Sequence, residues 1–375
     1  MIRQAAAITV LSLVVAGCSG STAESRRRAP GHSTPAGDGL ALSSGVWEQL
    51  GGGGAGMTKV VVTGPGEAWA VGADGEGGGQ GRGVLRWDGR AWRSARPPDG
   101  LLYPRALSGT SPDNVWLFDK DADAWRWDGR RWTRRERPPW PRSADVHDAV
   151  VTGPAEVWVA GKQNVGTRSR PSWRPLPLAR WSPSGWSEVS APSPSIWRLS
   201  AATPDDVWAI ATDDSDSFTV IEHWDGRRWT ISPTPSSFSG AKVQFYDIAA
   251  RSSREVWVAG TVVRPGHRVA ALLMRWDGSR WNLADGIPSG AVSFGAVAPD
   301  GRGGVWLGAT NYSYDDDRIL LHFDGRSWTY EKSPESRNAP AVSDMARVPG
   351  GDQVIAVGGN PSYDEDGSGW IWVRR

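Results

Sequence analysis

Cysteine is nearly absent from the chain. A single one, Cys18, stands among 375 residues, so no internal disulfide can form and packing alone must hold the fold. Histidine is also scarce: there are five, with no two at metal-ligand spacing, which argues against a zinc site. Neither sign of charge is in excess. With 42 Lys plus Arg against 41 Asp plus Glu, no global field draws the chain to nucleic acid, and none is expected as a partner. The glycine-rich stretches at Gly51 to Gly54 and Gly75 to Gly83 lack the Lys-Ser/Thr of a phosphate-binding loop and read as flexible connections. The chain is rich in two residues, Gly at 47 and Trp at 24, and that pairing suits tight turns joining short aromatic strands. An all-β fold is expected.

The first 17 residues carry Arg3, an apolar run from Ala5 to Ala16 and small residues at the end, which is the anatomy of an export signal. The run is short for a bilayer span. Val15-Ala16-Gly17-Cys18 resembles the bacterial lipobox. That resemblance implies a lipoprotein signal peptide over 1–17, acylation of Cys18 and an extracytoplasmic protein lipid-anchored to the bacterial cell membrane. Each buried CH₂ of such a chain would add about 0.8 kcal/mol to membrane residence. Residues 18–43 are rich in Ser, Gly, Pro and Ala with almost no large apolar side chains, so they read as a disordered tether. Its Arg26, Arg27 and Arg28 could touch anionic headgroups or simply be solvated.

From residue 44 onward one pattern repeats. A short strand centred on Trp reads Glu67-Ala-Trp69-Ala-Val-Gly72, Asn114-Val-Trp116-Leu, Glu156-Val-Trp158-Val-Ala-Gly161, Asp206-Val-Trp208-Ala, Glu255-Val-Trp257-Val-Ala-Gly260, Gly304-Val-Trp306-Leu-Gly308 and Gln353-Val-Ile355-Ala-Val-Gly358. The copies fall 47, 42, 50, 49, 49 and 49 residues apart, the length of one four-stranded propeller blade. A second mark follows the first six: Trp87-Asp-Gly-Arg-Ala-Trp92, Trp127-Asp-Gly-Arg-Arg-Trp132, Trp181-Ser-Pro-Ser-Gly-Trp186, Trp224-Asp-Gly-Arg-Arg-Trp229, Trp276-Asp-Gly-Ser-Arg-Trp281 and Phe323-Asp-Gly-Arg-Ser-Trp328. Asp-Gly between strand residues predicts a hairpin with a two-residue type I′ turn, positive φ at both positions, and Trp92 opposite Leu85.

With strands lettered a to d from the centre outward, the pattern predicts a seven-bladed β-propeller of four-stranded antiparallel blades over 44–375. The last repeat reaches only strand c, at Gly369 to Arg375. Its strand d is expected from Gly45 to Leu50, so that the N-terminal strand completes the last blade and closes the ring without a free sheet edge. The repeat resembles the Trp-rich propellers of exported bacterial lipoproteins. The Asp-Gly-x-x-Trp turn is similar to the Asp-box of sialidase-type propellers, but the Ser/Thr and the spacer between Asp and Gly are missing, which weakens any transfer of glycosidase activity.

Function is expected on the face that carries the variable b–c and d–a loops. Three tryptophans lie outside the blade pattern, Trp140, Trp173 and Trp197, and are expected to cluster there with Arg142, Arg168, Arg170 and Arg174. Such a set can stack sugar rings and pair with carboxylates, so Trp140, Trp173, Trp197, Arg168, Arg170 and Arg174 are the candidate ligand-binding residues. The alternative is that the aromatics merely cover a Pro-rich loop. No cofactor is expected; the acidic loops at Asn311 to Asp317 and Asn360 to Asp366 could collect Ca²⁺ or be plain solvated turns, as could Asp119, Asp121 and Asp123. The channel strands carry His147, Asp148, Arg198, Tyr246, Asp247 and Asp344. No catalytic constellation stands out. The expected function is a membrane-anchored, monomeric binding or scaffolding propeller that takes an envelope glycan or a protein. The rival is an extracellular carbohydrate hydrolase or lyase using carboxylates such as Asp148 and Asp247.

Overall fold

A computed structural model describes residues 41–374 except 43–44, 54–55, 74–81, 168, 213–218, 289–290, 312–318, 334–340 and 360–368. Cys18, the signal and the tether to residue 40 therefore lie outside the described residues. Seven antiparallel sheets follow one another as blades, at 56–94, 104–135, 144–189, 195–232, 242–283, 291–331 and 341–374. Among the described residues the only helical turn is Ser236–Phe238, and no helix is long and apolar enough to cross a membrane.

The last blade is completed as expected. Trp47–Gly53 pairs antiparallel with Gly369–Arg374 and supplies strand d, with Trp47 opposite Arg374. A two-residue strand just upstream, Ala41–Leu42, runs parallel to Trp328–Glu331 and adds a fifth strand to blade 6. The b–c connection of blade 3 is likewise no plain loop: Trp173–Pro175 folds back on Glu156–Asn164 as an extra strand.

Each strand-b Trp is a wedge between blades. Trp69, Trp158, Trp208 and Trp257 are at most 1% exposed. Trp69 packs edge-on against Trp127 and Trp132 of the next blade, with centroids at 5.0 and 5.2 Å. Trp158 meets Trp224 and Trp229 in the same way, and Trp208 meets Trp276 and Trp281. The series continues through Trp116 on Trp181, Trp257 on Phe323 and Trp306 on Trp47. At the closing junction Ile355 replaces the indole and packs with Trp87 and Trp92.

A cation or an imidazole covers most of these wedges. The strand-c residue directly opposite the wedge is Arg86, Arg126, Arg180, His223, Arg275 or His322. Arg86 and Arg180 lie 5.1 and 5.0 Å over Trp69 and Trp158, while His223 stacks on Trp208 at 4.1 Å. In blades 1, 3 and 4 an acid two residues before the wedge ties the set together. Glu67 accepts both the Trp69 indole N–H at 3.1 Å and Arg86 at 2.9 Å, and Asp206 does the same for Trp208 and His223.

The turn after strand c differs from expectation. Trp87 pairs directly with Trp92, and Leu85 with Ser94, so the loop has four residues, Asp88 to Ala91. Only its glycine has positive φ (Gly89, 87°), because the Asp88 carboxylate turns back and accepts the backbone N–H groups of Arg90 and Ala91. The Arg93 guanidinium first, and then those backbone bonds, hold the Asp88 carboxyl well below the usual carboxylate range. An Asp that caps its own loop gives a longer hairpin than one that occupies a type I′ position. The consequence is a directly opposed aromatic pair for the neighbouring wedge to enter.

Truncating a wedge leaves a cavity that the rigid ring cannot close. Trp208→Ala should cost about 3–5 kcal/mol, read by urea denaturation. Trp173→Ala, at a ring 45% exposed, should cost less than about 1 kcal/mol.

Candidate functional site

The site is built by one irregularity repeated seven times. Strand a lines the central channel and runs over Gly56–Gly64, Pro104–Ser111, Ala144–Gly153, Ser195–Thr203, Lys242–Ser252, Ala291–Pro299 and Ala341–Arg347. In each, the register with strand b slips near its start, leaving an extra residue unpaired, and in blade 6 a second slip also leaves out Val292. Around the ring these residues are Thr58, Arg105, His147, Trp197, Tyr246, Gly295 and Ser343. A β-bulge of this kind redirects a side chain out of the ladder.

The motif glycine on strand b makes room for the bulge. A Cβ on Gly260 would stand 1.9 Å from the Gln244 carbonyl oxygen, and one on Gly72 would stand 2.3 Å from that of Gly56. The glycine of the Val-Trp-Val-Ala-Gly strand is therefore a requirement of close backbone approach.

All seven bulge residues line the mouth of the channel on the variable face. Two adjoining cavities of about 520 and 480 Å³ share Thr58, Trp197, Arg198 and Tyr246, and Lys59, Arg105, His147, Lys162 and Gln244 are among the further walls of the larger one.

Beneath the bulges lies a second ring: Lys59, Ala106, Asp148, Arg198, Asp247, Ala296 and Asp344. Its three carboxylates stitch blades together. Asp148 accepts the backbone N–H of Leu199 at 3.0 Å, Asp247 that of Val297 at 2.9 Å and Asp344 that of Val60 at 2.9 Å. Ser108 and Ser200 serve two other junctions through Val151 and Ala250. Each aspartate's remaining oxygen is also engaged. Lys59 reaches Asp148 at 3.2 Å across the channel, Arg198 stands 3.8 Å from Asp247, and Met345 N–H donates to Asp344. Burial pushes Asp247 up to about 6, with the nearby Asp344 adding to the rise and Arg198 and Lys59 opposing it. Burial also raises Asp344 and lowers His147, which keeps that imidazole neutral. As an acid–base pair Asp148 and Asp247 are thus poorly placed: one oxygen of each holds the next blade, and the other faces Lys59 at 3.2 Å or Arg198 at 3.8 Å.

The candidate aromatics separate. Trp197 lines the mouth as a bulge residue. Trp173 is exposed on the blade 3 hairpin, with the Lys162 ammonium 4.2 Å over its ring, and Lys162 connects it to the cavity wall. Trp140 is 7% exposed, sits in the core between blades 2 and 3 and donates its indole N–H to Pro177, so burial removes it from the face. Arg142, Arg170 and Arg174 are exposed on the same face, Arg174 opposite Gln163, and none lines the cavity. Arg168 lies outside the described residues, as do Asn360 to Asp366 and the Asn311 loop beyond that residue. No three His, Cys, Asp or Glu side chains among the described residues gather as a metal site. Asp119 is buried at 1%, caps its own hairpin through the Asp123 N–H and is pushed up to about 6 by burial.

Sequence reasoning missed Thr58, Lys59, Arg105, Lys162 and Ser343. The signal was present for Thr58 and Arg105, which stand at the same offset before the strand-b Trp as His147, Trp197 and Tyr246.

No family model and no curated protein sequence matches the chain. Solved structures do resemble it. YCF48 bound to D1 peptide has a TM-score of 0.59 at 14% identity, over 89% of this chain and 97% of that one. YCF48 from Cyanidioschyzon merolae scores 0.58 at 15% identity, over 87% and 98%. A catalytically inactive virginiamycin B lyase from Staphylococcus aureus with quinupristin scores 0.57 at 13%, over 88% and 98%. At such identities the likeness is one of fold, a propeller scaffold shared with binding proteins and lyases.

The raised carboxyls set a pH dependence. A carboxyl whose folded pKa exceeds its unfolded value takes up protons on folding, so its charged form destabilises as pH rises through the interval between the two. For Asp247 that interval runs from about 4 to about 6. The melting temperature should rise as pH falls from 7.5 to 5, and Asp247→Asn, which keeps an acceptor for Val297, should remove part of that slope.

Proposed function

We propose that the protein is a non-catalytic binding module, held outside the cytoplasmic membrane by a lipidated Cys18, that receives its ligand at the channel mouth. The observation that carries this reading is that five of the seven bulge residues line a cavity of about 520 Å³, with Trp197, Tyr246, Arg105, Lys162 and Arg198 in its wall. Aromatic faces beside cationic donors are recognition chemistry. The carboxylates that a hydrolase would need are committed to holding adjacent blades. Two fold neighbours, one bound to a peptide and one with quinupristin, support a propeller of this build as a ligand-binding scaffold.

Two measurements test the reading. Cys18→Ala should release the full chain from the membrane pellet into the soluble fraction; retention in the pellet would refute the anchor. A thermal-shift screen of the protein against fragments of envelope polysaccharides and peptides should find a ligand that raises the wild-type melt and not that of Trp197→Ala. A ligand that shifts both proteins equally would place binding away from the mouth.

A further inference from the structure

Charge at the mouth is partly sorted by depth. Three carboxylates lie in the second ring, each accepting a backbone N–H of the next blade, with Lys59 and Arg198 beside them. Two further cations stand nearer the opening, where the buried Asp145 is the carboxylate beside them. Arg105 is 53% exposed along its side chain and only loosely paired, its Nε 3.7 Å from Asp145. Lys162 has no carboxylate partner among the described residues and rests on the Trp173 indole. An entering ligand therefore meets N–H donors first, although the molecule as a whole carries a net charge of only +1.

Beside those donors, on the next two blades around the mouth, stand two rings, Trp197 and Tyr246. Tyr246 donates its hydroxyl hydrogen to Gln244 at 3.0 Å, which fixes the ring and leaves hydroxyl and amide groups at the wall. An indole face attracts the weakly positive C–H groups of a sugar ring, and a guanidinium pairs with a carboxylate through two parallel N–H bonds. The cavity volume lies in the range of sites that enclose a small ligand, and its concave form is unlike the broad patch of about 800 Å² per partner that a stable protein contact needs.

Resting on the binding reading above, we infer that the channel mouth takes an acidic oligosaccharide: sugar rings stack on Trp197 and Tyr246, and uronate carboxylates pair with Arg105 and Lys162. Because the floor is structural, the rim alone sets this preference. Arg198 reinforces it only to the extent that Asp247 leaves its guanidinium free.

The test is isothermal titration of the full chain in detergent with trigalacturonate, maltotriose and triglutamate. Trigalacturonate should bind, maltotriose at least tenfold more weakly, and the affinity for trigalacturonate should fall as salt is raised. Arg105→Gln and Lys162→Gln should each weaken it about tenfold, the worth of one charge-assisted hydrogen bond. Both side chains lie outside the aromatic core, and an unchanged melting temperature would confirm that each variant is folded. Trp197→Ala should weaken trigalacturonate and maltotriose alike.

Several results would overturn the inference. Equal affinity for maltotriose would make the site a neutral-sugar site, and equal or tighter binding of triglutamate would make it a peptide site. In either case loss in Trp197→Ala would leave the mouth as the binding place. Trigalacturonate affinity unchanged in all three variants would remove the mouth itself. No binding at millimolar trigalacturonate would reject the acidic sugar while leaving the thermal-shift screen to judge the broader reading.

Discussion

The wedge of one blade's tryptophan between two aromatics of the next is the contact on which the ring depends. With no disulfide available, adjacent sheets are held by apolar burial, and the indole supplies more area per residue than any other side chain. In blades 1, 3 and 4 the acid before it and the Arg or His opposite it fix the ring's orientation, so one side chain is held by packing, stacking and hydrogen bonding at once. The closing junction follows the same scheme with a smaller part. Ile355 enters between Trp87 and Trp92, and the partner strand d of its own blade comes from Trp47–Gly53.

That scheme frees the inner strands from carrying stability by bulk. Near the channel the backbone slips by a residue in every blade, closest to strand b where a glycine such as Gly72 or Gly260 yields the space, and the slipped residue is handed to the mouth. The ring just below does the reverse. Its aspartates are spent on backbone N–H groups of the next blade, which removes an unsatisfied donor at each of three junctions. Scaffold and site thus occupy successive positions of one strand, with opposite duties.

Much of the fold was readable because its signals are periodic. The Trp strand and the Asp-Gly hairpin recur at blade spacing, and the mismatch of the two chain ends gave the closure. The turn type was misread because Asp-Gly has two uses that composition does not separate: the residue can occupy a positive φ or can cap a longer loop with its carboxylate, and only the register between Trp87 and Trp92 decides. The site was harder. Trp140, Trp173 and Trp197 look alike when counted as surplus tryptophans, yet burial depends on what the long blade 3 connection does, and it folds as a hairpin over Trp140. Arg105 stands at the offset shared by His147, Trp197 and Tyr246 and shows only when the repeats are aligned, whereas Lys162 lies at the outer end of a long strand b, which leaves no mark in the repeat.

One further property follows from the bulges. A residue that has left the ladder is no longer fixed by cross-strand pairing, so, apart from His147, which bonds the Ile196 carbonyl oxygen, and Trp197, which packs against the neighbouring core, its identity can change at little cost to the blade. The mouth is in this sense a seven-letter word written on a fixed page, in which each letter belongs to a different blade and can be altered alone. Reading Thr, Arg, His, Trp, Tyr, Gly and Ser around the circle, chains of the same architecture could differ in what they hold while remaining the same object to fold.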